Sequence, residues 1–239
     1  MTIKICGITN PEDALAAAAA GATALGFNFY PRSPRYIAPE RAAGIATPAG
    51  VRRVGVFVNE PAARVEEIAR IARLDVAQLH GDERPADYPA ALPVWKAVRV
   101  AEDFDLSLYA ECPAEALLLD GPASGLYGGA GIAFDWSVGG RLAGGAPSGP
   151  ACPTRMDALR KQGGAGRPRG RPACQSGGAC FSLPIILAGG LDASNVARAV
   201  AMAHPWGVDA CSRIEAAPGR KDHKKMTEFL QAAREALRA

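Results

Sequence analysis

What this 239-residue sequence lacks narrows it first. It has three histidines, 6% aromatic residues and no C-x-x-C pair. Cys152, Cys174 and Cys180 are separated by 21 and 5 residues with no histidine among them, which is not the spacing of a zinc site, so no metal is expected. No apolar run approaches the ~20 residues a bilayer-crossing helix needs. The alanine-rich stretch Ala14–Ala22 is too short and too weakly apolar, and Met1–Gly7 reads as a strand rather than a signal peptide. A cytoplasmic protein without a membrane partner is expected, and in that setting the six cysteines read as free thiols rather than a disulfide framework.

Charge adds another exclusion. Residues 137–182 carry seven Lys or Arg against one Asp, or +6 of a net +3, so the rest of the chain is mildly acidic at −3. The basic stretch lacks interleaved aromatics apart from Phe181, and no nucleic-acid partner is expected.

What is present is alternation. Eight short apolar runs read as strands: Ile3–Ile8, Ala24–Phe29, Arg53–Val58, Val76–His80, Val94–Val98, Ala116–Asp120, Pro184–Ala188 and Gly207–Ser212. Helical spacing appears between most of them, at Pro11–Ala20, Pro39–Ala46, Ala62–Arg73 and Ala193–Ala203, and again at Lys224–Arg238, several of these opened by Asn, Asp, Ser or Pro. Eight strand–helix units in a chain with 49% hydrophobic residues predict an α/β fold, a (βα)8 TIM barrel over 1–239 as a single domain. A doubly wound open sheet is the alternative. Residues 137–182 interrupt the pattern with 11 Gly and 5 Pro in 46 positions. That composition buries too little apolar surface to offset its ordering entropy, so a disordered, insertion-containing excursion between strands 6 and 7 is expected, with Met156–Gln162 supplying a turn or two of helix.

Candidate chemistry sits at strand ends. In Ile3-Lys4-Ile5-Cys6-Gly7 the period of two puts Lys4 and Cys6 on one face, so a charged Lys4 one layer below would favour the Cys6 thiolate. By itself Cys6 also reads as a small buried hydrophobe. Asp120 closes the sixth strand and reads as a catalytic acid, a helix cap or a loop ligand. Arg35 follows the second strand in a proline-stiffened loop, a surface arginine or a fork held ready for a carboxylate, with Arg32 able to take the same role. His80 shares a face with Gln78 and reads as a pocket-lining side chain. Gly189 and Gly190 end the seventh strand and Ser212 follows the eighth, where barrels often hold phosphate on backbone amides. Gly128, Gly129 and Gly131 read as hinges of a lid anchored by Phe134-Asp135-Trp136.

Taken together these motifs resemble the phosphoribosylanthranilate isomerase family: Lys-Ile-Cys-Gly at 4–7, Ser-Pro-Arg at 33–35, Val-Gly-Val-Phe-Val-Asn at 54–59, Gln-Leu-His-Gly at 78–81, Leu-Leu-Leu-Asp at 117–120, Phe-Asp-Trp at 134–136, Leu-Ala-Gly-Gly-Leu at 187–191 and Pro-Trp-Gly-Val-Asp at 205–209. The resemblance covers nearly all of 1–136 and 183–239. It implies a barrel without cofactor or metal that carries out an Amadori rearrangement of a small-molecule phosphosugar in tryptophan biosynthesis, as a monomer or homodimer. It further implies Asp120 as general acid, Cys6 as general base, Arg35 on the anthranilate carboxylate, and phosphate near Gly189, Gly190, Ser212 and Arg213. Three positions depart from the family pattern: Ala130 stands for Thr, Cys211-Ser212-Arg213-Ile214-Glu215 stands for Ser-Ser-Gly-Val-Glu, and the 137–182 connection is longer than usual. A related phosphosugar barrel enzyme and a degenerate ligand-binding barrel are the alternative functions.

Overall fold

The computed structural model describes residues 1–101, 104–109, 111–121, 136 and 183–239, with the side chains of 106 and 107 excepted. The expected 137–182 excursion, the Met156–Gln162 helix and the lid glycines Gly128, Gly129 and Gly131 lie outside these residues.

All eight predicted strands form: β1 (Thr2–Cys6), β2 (Ala24–Asn28), β3 (Arg52–Phe57), β4 (Val76–Leu79), β5 (Val94–Arg99), β6 (Ala116–Asp120), β7 (Ile185–Leu187) and β8 (Gly207–Ala210). They close in sequence order, and every neighbouring pair is parallel. β1 pairs with both β2 and β8, which rules out the open doubly wound sheet. The side-chain period of two then sorts each strand. Ala24, Val54, Val76, Trp95, Ala97, Ala116, Leu118, Ile186 and Ala188 fill the barrel interior. Ile3, Ile5, Leu25, Phe27, Leu79, Leu117, Leu119 and Val208 belong to the outer cluster that includes helix residues. Trp95 meets Trp206 edge to face at 6.2 Å, plugging the N-terminal end of the interior.

The helices follow local signals. α1 (Pro11–Ala20) starts where Asn10 Oδ1 accepts from Asp13 N at 2.8 Å, and Gly21, at φ 101°, ends it in the left-handed region. α2 (Pro39–Ala43) is shorter than predicted, closed by Gly44 bonding back to Glu40 and Arg41. α3 (Ala62–Ala72) buries Val65, Ile68, Ala69 and Ala72, and α4 (Val196–Ala203) buries Val196, Ala199, Val200 and Ala203, the stripe expected of helices packed on a sheet. α4 begins three residues later than predicted, because Asp192, Ser194 and Asn195 tie one another into a turn. α5 (His223–Ala236) is capped by Asp222, which accepts from Lys224 N and Lys225 N. Only short 3-10 turns, Pro85–Asp87 and Leu106–Tyr109, appear among the described residues between β4 and β6. A small antiparallel ribbon, β9 (Glu215–Ala217) with β10 (Arg220–Lys221), rises beyond β8.

Candidate active site

Parallel closure brings all eight strand ends to one mouth, and there the described residues predicted from sequence converge. Cys6, Arg35, His80, Asp120, Gly189, Gly190, Ser212 and Arg213 line one cleft that opens to solvent. No group of three or more His, Cys, Asp or Glu among the described residues is arranged to hold a metal ion.

Cys6 ends β1 opposite Gly26 on β2. A Cβ at Gly26 would stand 2.9 Å from Cys6 Sγ and 2.9 Å from Lys4 Cε, so only glycine leaves room for both inward-facing side chains. Beneath the thiol, the fully buried Lys4 Nζ lies 3.0 Å from Asp209 Oδ1, its in-register neighbour on β8. Burial opposes the Lys4 charge, but Asp209 and Cys6 outweigh it and raise the Lys4 pKa. For Asp209, burial is the largest influence and pushes its carboxyl up to about 7 against the pull of Lys4. The two shifts disagree about the pair. The 3.0 Å contact between two groups with few other partners favours the ionised form, since either charge left alone there would be more costly.

Cys6 itself is held well below the ordinary thiol value of 9.0. A hydrogen bond from Cys211 is the largest cause; burial opposes it, and the Lys4 and Lys221 charges add to it. Cys211 moves the opposite way, pushed up by the neighbouring Cys6 and by burial. The expectation that Lys4 favours the thiolate agrees with this arrangement.

Across the mouth, Asp120 Oδ1 accepts from Gly121 N at 2.9 Å. Its Oδ2 faces His80 Nε2 at 3.3 Å, close enough for attraction though outside hydrogen-bond geometry. Gln78 Nε2 donates to His80 Nδ1 at 3.2 Å, so the ring proton belongs on Nε2, the nitrogen facing Asp120. The loop after β4 is stiffened from below: Glu83 accepts from Asn59 N and Gly81 N, and the buried Lys96 Nζ lies 2.8 Å from Glu83 Oε2.

Arg35 is held by its loop, with Ser33 Oγ accepting from Arg35 N at 3.1 Å. Its fork is already engaged. Nε and Nη2 grip the carboxylate of Glu215 at 2.9 and 2.7 Å, and Lys221 Nζ donates to the same group at 2.8 Å. Burial opposes the Glu215 charge, but Arg35 and Lys221 hold its carboxyl below the usual range. Arg32, the alternative on this loop, is exposed and does not line the cleft.

Gly189 and Gly190, at φ 77° and 65°, occupy the left-handed region that glycine tolerates. Asn195 Nδ2 donates to Gly190 O at 2.8 Å, fixing the turn before α4. Arg213 reaches across from the far side, with Nη1 3.1 Å from Asp192 Oδ2. The cleft thus gathers a thiol, a carboxyl, the Arg35 cation, glycine amides and Arg213 in one lining.

Sequence reasoning missed Asp209, Cys211, Glu215 and Lys221. Lys4 and Asp209 are register partners once the barrel closes, and Cys211 follows the partner of Ile5, so closure of β8 on β1 was the signal for both. Glu215 and Lys221 had none: they sit on the β9–β10 ribbon beyond β8, where Glu215 meets both Arg35 and Lys221.

Comparison with known proteins agrees with this geometry. The family model described as N-(5'phosphoribosyl)anthranilate (PRA) isomerase matches residues 3–142 and 172–232. The N-(5'-phosphoribosyl)anthranilate isomerase of Solibacter usitatus is 59% identical, over 100% of both chains. That of Trichlorobacter lovleyi is 41% identical over 98% of each. Among solved structures, phosphoribosyl anthranilate isomerase from Thermotoga maritima superposes with a TM-score of 0.75 at 33% identity, covering 98% of this chain and 99% of that one. A phosphoribosyl anthranilate isomerase in complex with reduced 1-(o-carboxyphenylamino)-1-deoxyribulose 5-phosphate superposes at 0.72 and 32% identity, with the same coverage.

Proposed function

The chain belongs to the N-(5'-phosphoribosyl)anthranilate isomerase family, and we propose that its barrel mouth performs the family's aldose–ketose (Amadori) rearrangement with Cys6 and Asp120 as the proton-transfer pair. The protein is an isomerase of tryptophan biosynthesis, converting phosphoribosylanthranilate to 1-(2-carboxyphenylamino)-1-deoxyribulose 5-phosphate. The observation that carries the residue assignment is the placement of Cys6, above the buried Lys4 and next to Cys211, in one cleft with Asp120.

Asp120 donates a proton to the furanose ring oxygen, and the ring opens to an iminium. The positive nitrogen acidifies the C2–H bond, and the Cys6 thiolate takes that proton, becoming a thiol and leaving an enolamine. Protonation at C1 and loss of the C2 hydroxyl proton give the ketone product. The lowered pKa keeps Cys6 ionised, so the base is ready to take the proton without first losing one of its own. His80 lies against Asp120, with Nε2 3.3 Å from the carboxylate, a suitable neighbour for the charge left after proton transfer. Arg35 binds the anthranilate carboxylate through the guanidinium edge that Glu215 leaves uncovered. Phosphate rests on the Gly189–Gly190 amides and Ser212, with Arg213 as counter-charge.

Single-turnover fluorescence tests the assignment, because the substrate loses fluorescence as it reacts. Cys6→Ala is expected to abolish turnover while product-analogue binding persists. Retained turnover in that variant, or none in the well-folded native protein, would overturn it. A cytoplasmic location and a monomeric or homodimeric state complete the reading. The dimeric relative from Thermotoga maritima supports the second state, and sedimentation equilibrium distinguishes the two.

A further inference from the structure

We propose that Cys6 and Cys211 form a reversible disulfide when the enzyme meets a hydroperoxide, a modification site built into the barrel mouth. Both are free thiols in the structure, and both line the solvent-open cleft, within reach of a small oxidant. They sit at the ends of adjacent strands: Ile5 of β1 is in register with Ala210 of β8, and Cys6 and Cys211 are the next residue on each. Neighbouring strands run ~4.8 Å apart, inside the ~4.4–6.8 Å Cα separation that a disulfide spans. Both sulfurs sit at this corner of the mouth: a Cβ on Gly26, across from Cys6 on β2, would stand 2.9 Å from Cys6 Sγ. A Cβ on Gly7, the residue after Cys6, would stand 3.1 Å from Cys211 Sγ, so that sulfur lies over the end of β1.

The charges around the pair suit the chemistry. Lys4 lies beneath Cys6 and favours its thiolate, while Lys221 Nζ lies 3.9 Å from Cys211 Sγ. The thiolate of Cys6 attacks one peroxide oxygen. An S–O bond forms, the O–O bond breaks, and the departing hydroxide takes a solvent proton to become water; sulfur is oxidised by two electrons and the peroxide is reduced. Cys211 sulfur then attacks the Cys6 sulfenic acid, forming S–S and breaking S–O, and the Cys211 proton leaves with the hydroxyl as a second water. A resolving thiol at the neighbouring strand end intercepts the sulfenic acid before further oxidation to the irreversible sulfinic state. Cys211 belongs to the segment that departs from the Ser-Ser-Gly pattern after the eighth strand.

Loss of activity on oxidation rests on Cys6 being the base; the bridge itself does not. The test treats the native full-length enzyme with hydrogen peroxide, digests it without reduction, and maps the peptides by mass. Cys6 and Cys211 peptides joined with loss of two hydrogens, and released by dithiothreitol together with recovery of turnover, are expected. Cys6 recovered as sulfinic acid beside a free Cys211, Cys6 joined to another cysteine, or both thiols unmodified would overturn the proposal. In Cys211→Ser, normalised to its own reduced activity, a peroxide dose from which the native enzyme recovers fully should leave most of the loss permanent. Equal recovery would also overturn it. A bridged enzyme that still turns over would uphold the bridge and instead refute Cys6 as base, so the two readings fail separately.

Discussion

Lys4 Nζ and Asp209 Oδ1 meet at 3.0 Å inside the barrel, one layer beneath the Cys6 thiol. With both residues buried, removing one partner leaves the other charge stranded. Asp209→Asn is expected to destabilise the protein by ~3–5 kcal/mol, the usual cost of breaking a buried pair. Urea denaturation measures it, and an unchanged midpoint would mean that the pair is not ionised.

The hydrogen bond from Cys211 predicts a pH signature. The active base is the thiolate, whose fraction rises with pH, so a Cys6 pKa well below 9.0 puts the acid limb of kcat/KM well below the ordinary thiol range. Cys211→Ala removes the largest influence lowering that pKa, and the limb should therefore move to higher pH. A profile that does not move would show that Cys211 contributes nothing to the thiolate.

Gly26 is the tightest point beside the thiol. A methyl group there would press on both Cys6 Sγ and Lys4 Cε at 2.9 Å. Gly26→Ala should cost ~1–3 kcal/mol in stability through overpacking. It should also lower kcat by displacing the thiol, which combined thermal unfolding and turnover measurements would reveal; a fully active, equally stable variant would contradict the close packing.

Glu215 and Arg35 give a test that separates positioning from chemistry. Glu215→Gln leaves Arg35 with a neutral partner and loosens its fork, so KM should rise roughly ten- to a hundredfold, on the ~1.5–3 kcal/mol scale of hydrogen bonds to charged groups, while kcat falls less. A loss confined to kcat would move Glu215 from positioning Arg35 to the proton-transfer steps.

Much of this was legible in the sequence because it depends on local periodicity. Alternation in Lys4-Ile5-Cys6 assigned the face of the thiol, helical spacing over Pro11–Ala20 marked α1, and an apolar run closed by Asp120 marked a strand end. The start of α4 was misplaced because side-chain bonds among Asp192, Ser194 and Asn195 compete with the helix for its first residues.

By itself, then, the sequence determined which residues sit at strand ends and which face each side chain takes, since both follow from a backbone period of two. Only the tertiary structure decided the partnerships. Lys4 and Asp209 are 205 positions apart and Arg35 and Glu215 are 180 apart. No local propensity encodes such contacts. Closure of β8 against β1 puts Asp209 and Cys211 beside Lys4 and Cys6, and the β9–β10 ribbon delivers Glu215 and Lys221. Those contacts, together with burial of both thiols, set the opposite directions in which the Cys6 and Cys211 pKa values move.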